Sequence, residues 1–290
     1  MKYLRHLEPF QNVTATGRAV LNSKLVLGNV VERVYLVLGG TSFTKAMITA
    51  IRVRLNGKVV IGDISGSDLD LVQRYTLNNN NAAYLTIDFT EPTARSVQGQ
   101  LMGALNTNAA GVNDFTVEVD ISGATAPTLD AFVQMRTPAD MSPAQGFDPA
   151  LGPVLRALIP TVVPVTTTSE FQYDVNIGSG GSSLVKRLYV SSQYLTNVRI
   201  KKDALDIFEV INPSNNLLSY ISSDFARFPQ SNFYVVDWMY DGNQSDAVAT
   251  RKPVGNGNSV ASNFQFLFTS SNASTTHKCF ADVYSTLAAL

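Results

Sequence analysis

The stretch Val31-Glu32-Arg33-Val34-Tyr35-Leu36-Val37 sets Val34 and Leu36 on one side of an extended chain and Arg33 and Tyr35 on the other. That period of two predicts a strand with one face in a core. Ile51-Arg52-Val53-Arg54-Leu55, Tyr84-Leu85-Thr86-Ile87-Asp88-Phe89 and Phe115-Thr116-Val117-Glu118-Val119-Asp120-Ile121 follow the same rule. Between them stand Gly39-Gly40, Asn56-Gly57, Ser65-Gly66 and the polar run Asn78 to Asn81, which supply the positive φ angles and local hydrogen bonds of turns. Asn56-Gly57 between apolar runs is the strongest hairpin signal.

The second half of the chain repeats the programme with Phe171 to Val175, Leu184 to Val190, Val198 to Lys201, Phe233 to Trp238 and Asn263 to Phe268. Four short matches recur in the same order. Arg33-Val34-Tyr35-Leu36 parallels Arg187-Leu188-Tyr189-Val190, and Thr49 to Arg54 parallels Thr196 to Lys201; Leu85 to Phe89 parallels Tyr234 to Trp238, and Phe115-Thr116-Val117 parallels Phe264-Gln265-Phe266. The offsets in residue number are 154, 147, 149 and 149. One such match means little, because all strands draw on the same Val, Ile, Tyr and Thr vocabulary. Four in order predict a duplicated module of about eight strands, the number of a jelly roll. Asp88 and Asp237 fall at equivalent places beside Phe89 and Trp238, which predicts a shared structural hydrogen bond.

Half of the twelve prolines lie between the halves: Pro138, Pro143, Pro149, Pro153, Pro160 and Pro164. With Leu151, Leu155, Leu158 and Ile159 among them, they predict a connection packed between the modules. Ala150 to Leu158 is the one short helix expected there, with Pro153 in its first turn. The expected fold is all-β, two tandem eight-stranded antiparallel jelly rolls with few short helices, divided as residues 1–140 and 141–290.

Charged residues are 16% of the 290, below the roughly 25% usual in soluble domains. Polarity is carried by uncharged side chains, as suits outer faces covered by neighbours, so a homo-oligomer is expected. The net charge is −1 and no dense Lys/Arg run occurs, which argues against direct nucleic-acid binding. The N-terminal segment lacks the apolar core of a signal peptide, so synthesis and folding in the cytosol are expected. Its Leu4 and Leu7, spaced i, i+3 with Lys2, Arg5 and His6 between and around them, suit contact with a lipid surface or a neighbouring subunit.

Chemistry is scarce. His6 and His277 are the only histidines and Cys279 the only cysteine. The several histidines of a cupin metal centre are absent, as is GxSxG. His277 and Cys279, at i and i+2 on one strand, read as a packed cysteine beside a polar edge residue. No catalytic or cofactor-binding residue is assigned, and no enzyme is expected. Two acidic groups, Asp63, Asp68 and Asp70, and Asp237, Asp241 and Asp246, offer oxygens that calcium accepts, without EF-hand spacing; a metal is otherwise unassigned. Gly178-Ser179-Gly180-Gly181 stands between strand patterns and reads as a hairpin loop, since a phosphate cradle needs a following helix.

Lys2 to Ala19 (KYLRHLEPFQNVTATGRA), Asn29 to Gly40 (NVVERVYLVLGG), Ala46 to Gly57 (AMITAIRVRLNG), Val97-Gln98-Gly99-Gln100 and Val119 to Ala124 (VDISGA) resemble the major capsid proteins of corticovirus-like, membrane-containing icosahedral bacteriophages. The resemblance is sharp over roughly the first 135 residues and looser beyond. It implies a double jelly roll whose homotrimers form pseudo-hexagonal capsomers around an internal membrane and DNA genome. Neighbouring capsomers and minor capsid or penton proteins would be its partners, and the N-terminal segment could touch the membrane. The virion capsid, assembled in the host cytoplasm, would be its location. A different reading is a carbohydrate-binding or adhesive β-sandwich, with Trp238, Tyr240 and Tyr234 stacking on sugar rings.

Overall fold

A computed structural model describes residues 2–77, 81–175, 181–211, 227–256 and 258–290. Most of the turn expected at Asn78–Asn81 and of the loop expected at Gly178–Gly181 lies outside the described residues.

The first half runs β1 (Lys2–His6), β2 (Gly17–Asn22), β3 (Val30–Ser42), β4 (Ile48–Leu55), β5 (Lys58–Ile64), α1 (Gly66–Leu77), β6 (Tyr84–Asp88), α2 (Val97–Leu101), β7 (Leu105–Asn106), β8 (Phe115–Ile121) and β9 (Thr125–Arg136). The second runs β10 (Val154–Val165), β11 (Phe171–Val175), β12 (Leu184–Ser191), β13 (Leu195–Lys202), β14 (Leu205–Ile211), β15 (Phe233–Asp237), β16 (Val248–Ala249), β17 (Arg251–Gly255), β18 (Asn258–Ala261), β19 (Phe264–Ser270) and β20 (Thr275–Thr286). Alternation holds in β4 and in β3, where Val34 and Leu36 are fully buried while Arg33, Tyr35 and Val37 are half-buried, but β12 is buried on both faces from Val185 to Val190. Asn56 and Gly57 adopt φ of 51° and 79° and close the β4–β5 hairpin, as a two-residue turn of this type requires.

The strand order shows the duplication directly. In the first half the sheets run β1-β9-β3-β6 and β2-β8-β4-β5; in the second they run β10-β20-β12-β15 and β11-β19-β13-β14. Setting aside short β7 and β16 to β18, both halves pair their successive strands as 1-8-3-6 and 2-7-4-5, the wiring of a jelly roll. All four matched segments fall on equivalent strands: β3 with β12, β4 with β13, β6 with β15, and β8 with β19.

The halves share a sheet. Edge strands β5 and β10 lie parallel, with Leu158 opposite Ile61, and fuse one sheet of each half into a nine-stranded sheet. Pro160, with no N–H, ends this ladder after a single pair. Its ring occupies the space over Gly62, where a Cβ would come within 2.3 Å of the proline Cδ.

Four local expectations are corrected. Gly39-Gly40 is not a turn but part of β3, opposite Thr128 and Pro127 of β9. Ala150–Leu158 is no helix: a 3₁₀ turn at Pro149–Leu151 leads into β10, whose residues 155–158 are buried and pair with β20 along its whole length. Leu4 and Leu7 are not on a helical face, because residues 2–6 pair antiparallel with β9; Leu7 is buried and Leu4 is 62% exposed. Ser65-Gly66 is not a hairpin turn but the start of α1. The Asp68 N–H donates to Ser65 Oγ at 3.1 Å, the Ser65 hydroxyl donates to Asp68 Oδ2 at 2.7 Å, and Leu69, Val72 and Tyr75 are buried.

Candidate functional site

Each half carries the same polar motif on the outer face of its 1-8-3-6 sheet. Arg33 lies opposite Asp88 on β3 and β6 with Nε 2.8 Å from Oδ2; Arg187 lies opposite Asp237 on β12 and β15 at 2.9 Å. The second carboxylate oxygen accepts a backbone N–H two residues on, from Thr90 at 2.8 Å and from Met239 at 2.9 Å. Tyr35 donates to Gln134 at 3.3 Å and Tyr189 to Asp282 at 3.4 Å, again at equivalent places. The structural role expected of Asp88 and Asp237 is thus met in both halves.

A β-bulge precedes each arginine. Between Val31 and Arg33, and between Val185 and Arg187, the register slips by one residue, leaving Glu32 and Lys186 as the extra residues. Their carbonyls accept the N–H of Phe89 at 2.9 Å and of Trp238 at 3.2 Å. A bulge turns two consecutive side chains out of strict alternation, and both Glu32 and Lys186 are buried. Their charges are opposite. Glu32 is held by Arg136, by Gln134 at 2.5 Å and by Lys2 at 3.1 Å; Lys186 reaches Glu91 at 3.0 Å and Asp282 at 3.5 Å.

In the second half the motif is sealed by the first. Glu91, just past β6, takes Arg187 Nη1 at 2.6 Å, and Tyr75 of α1 donates to Asp237 at 3.2 Å. Arg156 of β10 clamps Asp282 with two bonds of 2.8 and 2.7 Å and donates to the Asp88 carbonyl at 2.8 Å. Arg227 binds Asp237 at 3.0 Å, and Lys186 Nζ sits 4.5 Å from the centre of the Tyr284 ring. Lys186, Arg187 and Asp282 are 0% exposed and Glu91 is 1% exposed. Burial pushes the Glu91 carboxyl up, but Arg187 and Lys186 outweigh it and hold the group well below the usual carboxylate range. Burial likewise opposes the charge of Asp282, and Arg156 and Lys186 prevail. For Lys186 burial wins, lowering its pKa against the pull of Asp282 and Glu91. The network locks one half to the other.

The chemically suggestive residues are placed otherwise. His277 is fully buried and not at an edge: it stacks on Phe171 at 6.2 Å and meets Phe268 edge-on at 5.7 Å, and neither ring nitrogen has a hydrogen-bond partner. Burial lowers its pKa and pushes the Cys279 thiol up to about 12, the reverse of an activated pair. The acidic groups are dispersed onto cations: Asp63 pairs with Arg52, Asp68 with Lys278 at 3.7 Å, Asp70 with Lys45 and with Arg74 at 2.6 Å, and Asp241 with Arg95 at 3.0 Å. Asp246 accepts from Asn243 at 3.2 Å. Among the described residues no group of three or more His, Cys, Asp or Glu could hold a metal ion. Trp238 and Tyr234 pack on the core, and the Trp238 indole N–H is buried.

A duplicated jelly roll whose buried charges serve to hold its halves together defines a structural subunit of the double jelly-roll class. The chain belongs to the viral coat protein P2 family: residues 4–136 match the family's N-terminal domain and residues 155–287 its C-terminal domain. No curated protein sequence matches it. Among solved structures it is similar to the major capsid protein P2 of bacteriophage PM2, at 17% identity over 99% of this chain and 98% of that one, with a TM-score of 0.79. The STIV MCP follows at 12% identity, covering 99% and 97%, with a TM-score of 0.67. The PBCV-1 virus capsid is similar at 11% identity, covering 98% and 93%, with a TM-score of 0.59. The chain is a viral coat protein, a structural component of the virion.

Proposed function

We propose that three copies of the chain close into one capsomer of pseudo-sixfold outline. The carrying observation is that both halves have the same two sheets in the same strand order. Three such chains present six similar blocks about a true threefold axis, and so fill a sixfold position of an icosahedral lattice. Light scattering tests this: the expected particle has three times the 31.4 kDa chain mass, and a monomer at high concentration would overturn it.

Residues 1–140 and 141–290 act as the two building blocks, and the shell they build surrounds an internal membrane and a DNA genome. The capsomers dock on one another and on penton or minor capsid proteins, and assembly takes place in the host cytoplasm. The chain does this without catalysis. Of the two uses considered for the N-terminal segment, strand geometry favours contact with a neighbouring subunit over contact with lipid, because only one leucine of the pair is exposed.

A further inference from the structure

The row of residues that is sealed on the second half is only partly covered on the first, where Leu4 is exposed and Gln134, Arg33 and Asp88 are half-buried. Strand registers align Leu158, Asp282, Arg187 and Asp237 across β10, β20, β12 and β15, and align Leu4, Gln134, Arg33 and Asp88 across β1, β9, β3 and β6. The first row is covered by α1, whose Tyr75 meets Tyr189 edge-on at 6.3 Å. Leu158 is 3% exposed, and its counterpart Leu4 is 62% exposed. Tyr189 is fully buried, and its counterpart Tyr35 is half-buried.

The edges tell the same story. Within the chain, β5 and β10 pair and fuse two sheets; their counterparts are β14 and β1, which are the outermost strands of the four-stranded and five-stranded sheets. We infer that a second copy of this chain completes the pattern: its second half covers the outer face of β1, β9 and β3, and its β14 runs parallel to β1. This rests on the trimer proposed above and specifies its contact. The offsets between the halves set the register. Leu158 opposite Ile61 becomes Leu4 opposite Phe208, and Pro160 over Gly62 becomes His6 beside Glu209. The facing edges carry opposite charge, β1 with Lys2, Arg5 and His6 and no acid, β14 with Asp206 and Glu209 and no base. Lys2, His6 and Asp206 also pair within the chain, with Glu32, Asp130 and Lys201, which leaves Arg5 and Glu209 as the pair the contact would add. Exposed sheet edges are ready templates for such pairing.

Paired cysteines test the register, because the native Cys279 is buried. Under oxidation the double variant Leu4→Cys, Phe208→Cys is expected to give covalent oligomers up to the trimer on a non-reducing denaturing gel, and each single variant only monomer. Leu4→Glu is expected to weaken self-association at least about ten-fold by putting a carboxylate in an apolar contact, with the thermal midpoint of the monomer unchanged. A double variant that is trimeric by light scattering yet stays monomeric on the gel would overturn this joint and leave the trimer standing. A monomeric wild type would overturn both. Binding to anionic vesicles that Leu4→Glu abolishes while the trimer persists would assign β1 to the membrane and also sink the inference.

Discussion

At the scale of single residues, the two arginine–aspartate pairs are one design in two environments. Asp237 faces Arg187, Arg227 and Tyr75 in full burial, whereas the Arg33 partner of Asp88 keeps part of its side chain in solvent. Removing a buried counter-ion leaves its cations stranded, at a cost of about 3–5 kcal/mol, while a partly exposed pair is worth about 1 kcal/mol or less. Urea denaturation is therefore expected to rank Asp237→Ala well below Asp88→Ala in stability; equal losses would mean that the first half does not desolvate the motif. His277 makes a second residue-scale prediction. Its folded pKa lies below the unfolded value of about 6.5, so the unfolded chain binds the extra proton and stability falls as pH drops below about 6.5. The slope reaches at most about 1.4 kcal/mol per pH unit, and Glu91 and Asp282, held low, titrate in more acidic solution. His277→Phe should flatten stability between about pH 5 and 6.5; an unchanged slope would acquit the histidine. The kinship of Arg33-Val34-Tyr35 with Arg187-Leu188-Tyr189 was legible in the sequence, and so were the paired aspartates. The burial of Lys186 was not, because the groups that cover it, Glu91 and Tyr284, lie far away in the chain.

At the scale of elements, what sequence patterning missed had signals of two kinds. Helix α1 announces itself by Ser65-x-x-Asp68, a capping pair ahead of Leu69, Val72 and Tyr75 at helical spacing, but Ser65-Gly66 taken alone reads as a turn. Strand β10 hides behind its prolines, which argue against a strand inside a sheet. It survives because it presents Pro160 to Gly62, where the ladder to β5 has already stopped. This fit gives the third prediction. Gly62→Ala drives a methyl into the Pro160 ring and is expected to cost about 1–3 kcal/mol. Pro160→Ala in the same chain should recover most of that loss, giving a coupling of about 0.5–3 kcal/mol in a double-mutant cycle. Strictly additive losses would show that the two residues do not meet. The bulges at Glu32 and Lys186 escape patterning for another reason: each merely shifts the alternation by one, and a charged residue there reads as outward-facing.

At the scale of the molecule, the shared nine-stranded sheet and the ionic network make the halves interdependent. Calorimetry is expected to give one unfolding transition for the whole chain, and residues 141–290 expressed alone should be unfolded, since they bury Arg187 and Lys186 without Glu91. Two separate transitions, or a folded second half on its own, would refute that coupling. The tandem jelly rolls were legible from the four matched segments, because strand vocabulary is local. Which faces of the two rolls meet was not, because that depends on pairs such as Leu158 with Ile61, nearly a hundred residues apart. The buried charges bring one last consequence. Ions of this kind add little net stability over an apolar seam, but a slide of one residue would leave several of them unpaired out of water. The seam therefore tolerates very little angular play between its two blocks. In a lattice of many copies a small tilt at each subunit would add to the next, so the place to suppress a curvature error is inside the repeating piece, before any copies meet.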